Sequence, residues 1–204
     1  MLSYTPELKN SYRHLFNICT IKNEKVAVVN RIVQKIFNNK VRYTNVAHVL
    51  SMPWYVIAVI HSMEADLNFN CHLHNGDPLT ARTVHAPAGR PLTGTPPFPW
   101  EFSAVDALKF DGFDQWADWS LAGICYKLEK YNGTGYRAFL INSPYLWSGS
   151  NLYACGKYIA DGTFSRTAVS GQIGAMVLLK DMSTKGLITF QNAIITAPEV
   201  PHSS

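Results

Sequence analysis

The chain has 204 residues, 47% hydrophobic and 16% charged, long enough to bury one sizeable core and too apolar for a disordered segment. A formal net charge of +4 gives only mild attraction to anionic polymers; Lys and Arg are scattered, no nucleic-acid motif is present, and no stretch is long enough to span a bilayer. The aromatic share of 12% exceeds what a helical core requires and suits a cleft with flat stacking walls.

Thr5 followed by Pro6 predicts an N-cap with proline at the first helical position, after which Leu8, Tyr12, Leu15, Phe16 and Cys19 keep helical spacing. Nothing between Met1 and Pro6 joins a basic start to an apolar run, so neither a Sec signal nor a membrane anchor is expected. A second amphipathic helix follows Asn23, with the stripe Val26, Val29, Val33, Ile36 and Phe37 and a stop at Asn38-Asn39. Residues 1–50 therefore read as a helical layer, and the dense charges from Lys22 to Lys40 as a solvated helix face. Pro53 opens a third helix running through Asp66, broadly apolar at Val56, Ile57, Val59, Ile60 and Met63 and expected at the centre, with Glu64 near its C-terminal end.

From Asn68 to about Arg90 the helical period fails. Gly76 and Pro78 mark a turn, and the alternation Thr80-Ala81-Arg82-Thr83-Val84 predicts a short hairpin. Residues 86–99 are rich in Pro and Gly and read as an extended loop, too short to separate two cores. Helical spacing resumes over Glu101 to Phe110, stops at Gly112, and restarts after Asp118 as N-cap, with Leu121, Ile124, Leu128 and Tyr131 before a stop at Gly133. Residues 142–166 read as an aromatic loop region, and Thr167 begins a last helix carrying Val169, Ile173, Met176 and Val177. Leu187-Ile188-Thr189-Phe190 has strand character, and Pro198 to Ser204 reads as a frayed end. One domain over 1–204 is expected, mainly α with a small β-hairpin after the Glu64 helix; residues 1–50 pack on it and 184–204 form a tail. Cys19, Cys71, Cys125 and Cys155 show no CxxC spacing and read as free, buried thiols.

Glu64 has the setting a proton donor needs. At spacings of four and seven residues it shares a helical stripe with Ile60 and Ile57, which puts its carboxyl at the margin of an apolar face where desolvation keeps it protonated. The alternative is an ordinary glutamate in a last helical turn, a place the helix dipole disfavours. Asn75-Gly76-Asp77-Pro78 is turn chemistry in its own right, so Asp77 either caps that turn or serves in catalysis. Tyr131-Asn132-Gly133 reads as a helix end that can also face a cleft. Tyr145 and Trp147, in an irregular stretch, are candidate saccharide platforms; Trp54 reads as core, and Trp100, Trp116 and Trp119 are undecided. Asp106 and Glu129 are reserve carboxylates, the latter among Lys127 and Lys130 and read as solvated or salt-bridged.

The run from Pro53 to Glu64, followed by Asn68-Phe69-Asn70, resembles the helix-to-glutamate junction of the lysozyme superfamily, above all its lytic transglycosylase-like and phage endolysin-like members. Further stretches carry the likeness: His72 to Thr80, Ala88 to Pro91, Tyr131 to Arg137 and Ser143 to Ser148. It spans residues 53 to 180, roughly two thirds of the chain. The resemblance implies a lysozyme-like helical fold and a muramidase-type glycosidase acting on bacterial peptidoglycan, with Glu64 as acid and with Asp77 and Thr83 holding the attacking water. Asp77 and Thr83 keep the family's Asp-to-Thr interval, although the Glu64-to-Asp77 interval is longer than in the phage pattern. Tyr131, Asn132, Tyr145, Trp147 and His74 are then expected to bind sugar. No cofactor is implied, a monomer is expected, and the wall is reached from the host cytoplasm by holin-type release or delivery in a virion.

Three rivals stay open. Lytic transglycosylation, or chitin or chitosan cleavage, fits the same fold. Cys71, His72, His74, Asp77 and His85 cluster within fifteen positions, as a zinc-dependent amidase would require, yet no HExxH is present and the spacing matches no zinc module. A noncatalytic wall-binding module would leave Glu64 structural.

Overall fold

The computed structural model describes residues 2–160 and 162–191. It is mainly helical with one small antiparallel sheet. Helix α1 spans Pro6–Ile18, α2 Val26–Asn38, α3 Lys40–Leu50, α4 Trp54–Ala65, α5 Trp100–Phe110, α6 Leu121–Asn132, α7 Pro144–Trp147 and α8 Ala175–Thr184; strands β1, Lys157–Ala160, and β2, Thr163–Ser165, form the sheet.

Local chemistry sets most of the boundaries. The Thr5 side chain accepts from the Leu8 amide to cap α1, with Pro6 at its start. Short 3-10 turns precede α2 and follow Thr134. Asn38 ends α2, but the chain restarts at once as α3, which buries Tyr43, Val46 and Leu50 and leaves Val41 and Val49 exposed. The stripe predicted for α2 is buried at Val29, Val33 and Ile36, while Val26 and Phe37 at its margins stay exposed. Helix α6 is capped by Ser120, whose hydroxyl accepts from Gly123; Asp118, expected in that role, instead accepts from the Ser120 amide and the Tyr4 hydroxyl.

Two regions differ from the expected elements. The segment after α4 is a turn-rich loop held by an isolated antiparallel bridge between Cys71 and Pro78, and the two-stranded sheet sits instead at 157–165, with Tyr158 opposite Phe164 and a bulge between Tyr158 and Ala160. The last helix begins at Ala175 rather than Thr167, because residues 167–174 are spent as a loop that crosses α7. A Cβ on Gly174 would lie 2.4 Å from the Leu146 carbonyl carbon, so only glycine permits that crossing. Leu187 to Phe190 forms no strand; the Thr189 carbonyl accepts from the Tyr55 hydroxyl, and the Phe190 ring packs edge-on against Phe16 and Tyr55. The expected fraying of Pro198 to Ser204, and most of the predicted tail, lies outside the described residues.

One buried cluster draws side chains from α1 through α8. At its centre α4 is buried at every position from Tyr55 to Met63, packed on α3 and α8. Each fully buried Val or Ile there contributes about 1.5–3 kcal/mol over exposure. No single helix among the described residues is long and apolar enough to cross a membrane; α3 and α4 meet at a 113° bend. The four cysteines are unpaired, Cys19 and Cys125 buried as expected, Cys71 partly open and Cys155 exposed. Trp100 and Trp119 belong to the core, while Trp54 and Trp116 are partly buried against it.

Candidate active site

Glu64 lies in the last turn of α4, one residue before the helix ends. Asp66 and Leu67 follow in left-handed conformation, φ 48° and 56°, at about 1 kcal/mol each for residues with a Cβ. This tight reversal, closed by the Leu67 amide on the His61 carbonyl, ends the helix with Glu64 at the core boundary. Gln172 donates to the Met63 carbonyl at 2.9 Å and ties the 167–174 loop to the same turn. Three residues earlier the buried His61 ring lies between the Tyr43 hydroxyl and the Asn68 carbonyl, and burial lowers its pKa to about 4, so it stays neutral.

Glu64 is exposed at the surface, yet protein mass on its inner side crowds the carboxyl. Burial raises its pKa above the ordinary glutamate value; a hydrogen bond from the Tyr145 hydroxyl to Oε1, 2.9 Å, draws it back part way, and the negative charge of Asp111 pushes it up again. Tyr145 is held on α7 and its ring meets that of Tyr131, at the end of α6, with centroids 6.2 Å apart. Tyr131 in turn meets Phe113 at 5.3 Å. Burial foremost, then the nearby charges of Glu64 and Asp111, raises the Tyr131 phenol well above its usual range. Both phenols therefore remain hydrogen-bond donors at any working pH.

A cleft of about 140 Å3 is lined by Tyr145, the partner of Glu64, together with Asn132, Tyr136, Lys157, Tyr158 and Gln172 among others; Glu64 itself is not part of its wall. Asn132, Tyr136 and Tyr158 also border a wider hollow of about 570 Å3 against the β1–β2 hairpin, so the two spaces share a wall. A separate cavity of about 240 Å3 contains Glu129, but that carboxylate is closed off by a two-bond pair with Arg137 and the Tyr12 hydroxyl. Of the two expected states, solvated or salt-bridged, it is salt-bridged, to Arg137 rather than to its lysine neighbours.

The structure brings Glu64, Tyr131, Asn132 and Tyr145 together and separates the rest. Asp77 accepts from the Val84 and His85 amides and lies 2.6 Å from the His85 ring nitrogen; these bonds, the imidazole's first, hold it well below the usual carboxylate range. The Thr83 hydroxyl donates to the Pro87 carbonyl and accepts from the Arg90 amide. Both are turn residues whose polar atoms serve their own loop, a correction to their expected water-holding role. His74 is no sugar ligand either, since its side chain is fully buried with Nε2 2.8 Å from Asp106, which also pairs with Arg90. Trp147 is 1% exposed and is core rather than a platform. Tyr145, also buried, touches the acid instead of offering a stacking face.

The Cys71, His72, His74 and His85 cluster does not converge: His72 is bound between the Ser103 hydroxyl and the Ala81 carbonyl, His74 and His85 face different aspartates, and Cys71 accepts from Asn68. No group of three such residues suited to a metal occurs among the described residues. Tyr136, Lys157, Tyr158 and Gln172 line the cleft without having been singled out; they come from loop and hairpin segments whose approach to Tyr145 no periodicity reports. Compared with protein-family models, curated proteins and solved structures, the chain matches none.

Proposed function

We propose that this protein is a lysozyme-type glycoside hydrolase that cleaves the glycan strand of bacterial peptidoglycan, with Glu64 as the proton donor. The observation that carries the reading is an exposed glutamic acid raised in pKa at the end of the most buried helix and held by a tyrosine that lines the neighbouring cleft. Breaking a glycosidic bond needs such an acid, because the departing oxygen has to be protonated as the C–O bond lengthens. Glu64 gives up its proton at that moment, and the Tyr145 hydroxyl stabilises the carboxylate that remains. Asn132 and the exposed Tyr158 offer amide and aromatic surfaces along the cleft, suited to N-acetyl groups and to sugar faces. The amino-sugar polymer is chosen on the likeness of residues 53–180 to the lysozyme superfamily.

A second reading has one observation in its favour. Asp77 and Thr83 are consumed by their own loop, and a site without them suits lytic transglycosylation, in which a substrate hydroxyl replaces water. One experiment tests both: purified peptidoglycan sacculi are digested with wild type and with Glu64→Gln, and the fragments are analysed by mass spectrometry. Reducing ends from wild type and none from the variant are expected. Anhydro ends would favour transglycosylation, and cleavage surviving in Glu64→Gln would remove Glu64 as the acid.

A further inference from the structure

We propose that Lys157 reads an acidic substituent of the glycan: its ammonium receives a carboxylate borne by alternate sugars, and so selects muramyl-containing strands over neutral polymers of N-acetylglucosamine. The proposal deepens the reading of Glu64 as the acid of a wall-cleaving enzyme and rests on it.

The cleft that Lys157 shares with Tyr145 joins two chain segments at one buried phenol. The Tyr153 hydroxyl donates to the Gly156 carbonyl and accepts from the Ser170 amide, each at 3.1 Å, so the residue before Lys157 and the 167–174 loop are held at a common point. The Gly156 amide donates to the Ala168 carbonyl at 2.8 Å, and Lys157 opposes Ser165 in the hairpin. Gly156, at φ 97°, supplies the left-handed turn that lets β1 begin there. Two further lining residues reach the turn of the acid: Gln172 donates to the Met63 carbonyl, and Tyr145 donates to Glu64 itself. Lys157 and both side chains that touch the Glu64 turn thus border one space of about 140 Å3.

Of the residues lining that space, Lys157 alone carries a charge, and its ammonium makes no hydrogen bond or ion pair among the described residues. Other half-buried lysines are spent on the protein: Lys22, Lys127 and Lys180 end on backbone carbonyls. The fold has no such use for Lys157. The rest of the wall is neutral and hydrogen-bonding, with the Asn132 amide and the hydroxyls of Tyr158 and Ser170. A polar cleft with one cation and no anion fits a ligand that is uncharged over most of its surface and carries one negative group. An N-acetyl sugar bearing a carboxylate has that distribution. In peptidoglycan, alternate sugars carry a lactyl ether whose carboxyl is free or is amidated to a peptide stem with carboxylates of its own, whereas chitin carries no acid. Lactyl and stem carboxylates offer an ammonium the same chemistry.

The test measures binding of glycan strands to the full chain carrying Glu64→Gln, on which strands stay intact, with and without Lys157→Met. Strands are used with their stems and stripped of them, each also after its carboxylates are converted to methylamides. Lys157→Met should weaken binding of an acid-bearing form by about 5–50-fold and change that of the methylamides by less than about twofold, with Lys157→Arg restoring most of the loss. The loss should shrink as salt is raised. Loss with stripped strands alone names the lactyl group, loss with stem-bearing strands alone names the stem, and loss with both means that the ammonium serves either. Equal weakening of acid-bearing and methylamide forms overturns the proposal, as does binding of every form within about twofold of the parent. If Lys157→Met does not fold, methylation alone decides: strands that bind equally well before and after it overturn the proposal. Failure of the underlying reading shows elsewhere, because Glu64→Gln would still cut sacculi. An inactive Glu64→Gln whose binding ignores strand charge leaves Glu64 as the acid and removes only Lys157.

Discussion

Glu64, in the last turn of the central helix, and Asp77, in the loop that follows it, are both carboxylates, and their surroundings are opposite. Glu64 meets solvent but has protein on most sides, and the crowding penalises its charge. Asp77 is 7% exposed, screened by a single thin loop, and every bond it accepts rewards its charge. Solvent contact and electrostatic burial are thus different properties. A carboxyl that must exchange protons with a substrate needs the first without relief from the second, whereas a carboxyl that organises a turn needs satisfied lone pairs.

The largest separation between the two regions is expected in catalysis. Glu64→Gln should cut cleavage of sacculi by at least about a thousandfold, while Asp77→Asn should leave kcat within about threefold, both read from muropeptide release. If Asp77→Asn abolished cleavage in a folded protein, the two carboxyls would not be divided as described.

A smaller effect sharpens the Glu64 side. Tyr145→Phe removes the hydrogen bond that favours the charged form, so the acid should hold its proton to higher pH and the basic limb of the kcat profile should move alkaline, with a modest fall in rate. A limb that moved acid, or stayed in place, would deny the hydroxyl this role.

The smallest effects concern stability, and their signs oppose. The folded state raises the Glu64 pKa, so this residue's contribution is most favourable below its unfolded value and is lost as pH rises through the folded one; Glu64→Gln should therefore melt higher than wild type at neutral pH, with the gap closing in acid. For Asp77 the pKa is depressed, so its contribution is present above the ordinary aspartate value and lost as pH falls through the lower folded one. Asp77→Asn should melt lower at neutral pH, and calorimetry across pH checks both.

How far these regions were legible in the sequence follows from what sets each one. The Glu64 position was, because Pro53 and an unbroken apolar run announce a central helix and Glu64 interrupts its stripe at the far end. Thr5-Pro6 and Gly133 marked helix ends for equally local reasons. The second helix boundary was read correctly at Asn38-Asn39, but a stop there does not reveal that a new helix starts at Lys40. Asp77 and Thr83 kept a suggestive interval that hydrogen bonding within their loop explains. Trp147 shows that an aromatic in an irregular stretch can still be core when glycine lets a distant loop cover it. Tyr158 was invisible because a strand residue reads as part of its own hairpin, and only the fold sets that hairpin beside Tyr136 and Tyr145.

The full enclosure of α4 has a consequence for tolerance to change. A proton donor carried on a loop shifts independently of the interior, but one carried on this helix inherits its position from Ile57, Ile60 and their partners on α8. Drift in the interior is therefore transmitted to the reacting atoms, and variation compatible with turnover is restricted deep inside the molecule as well as along the cleft.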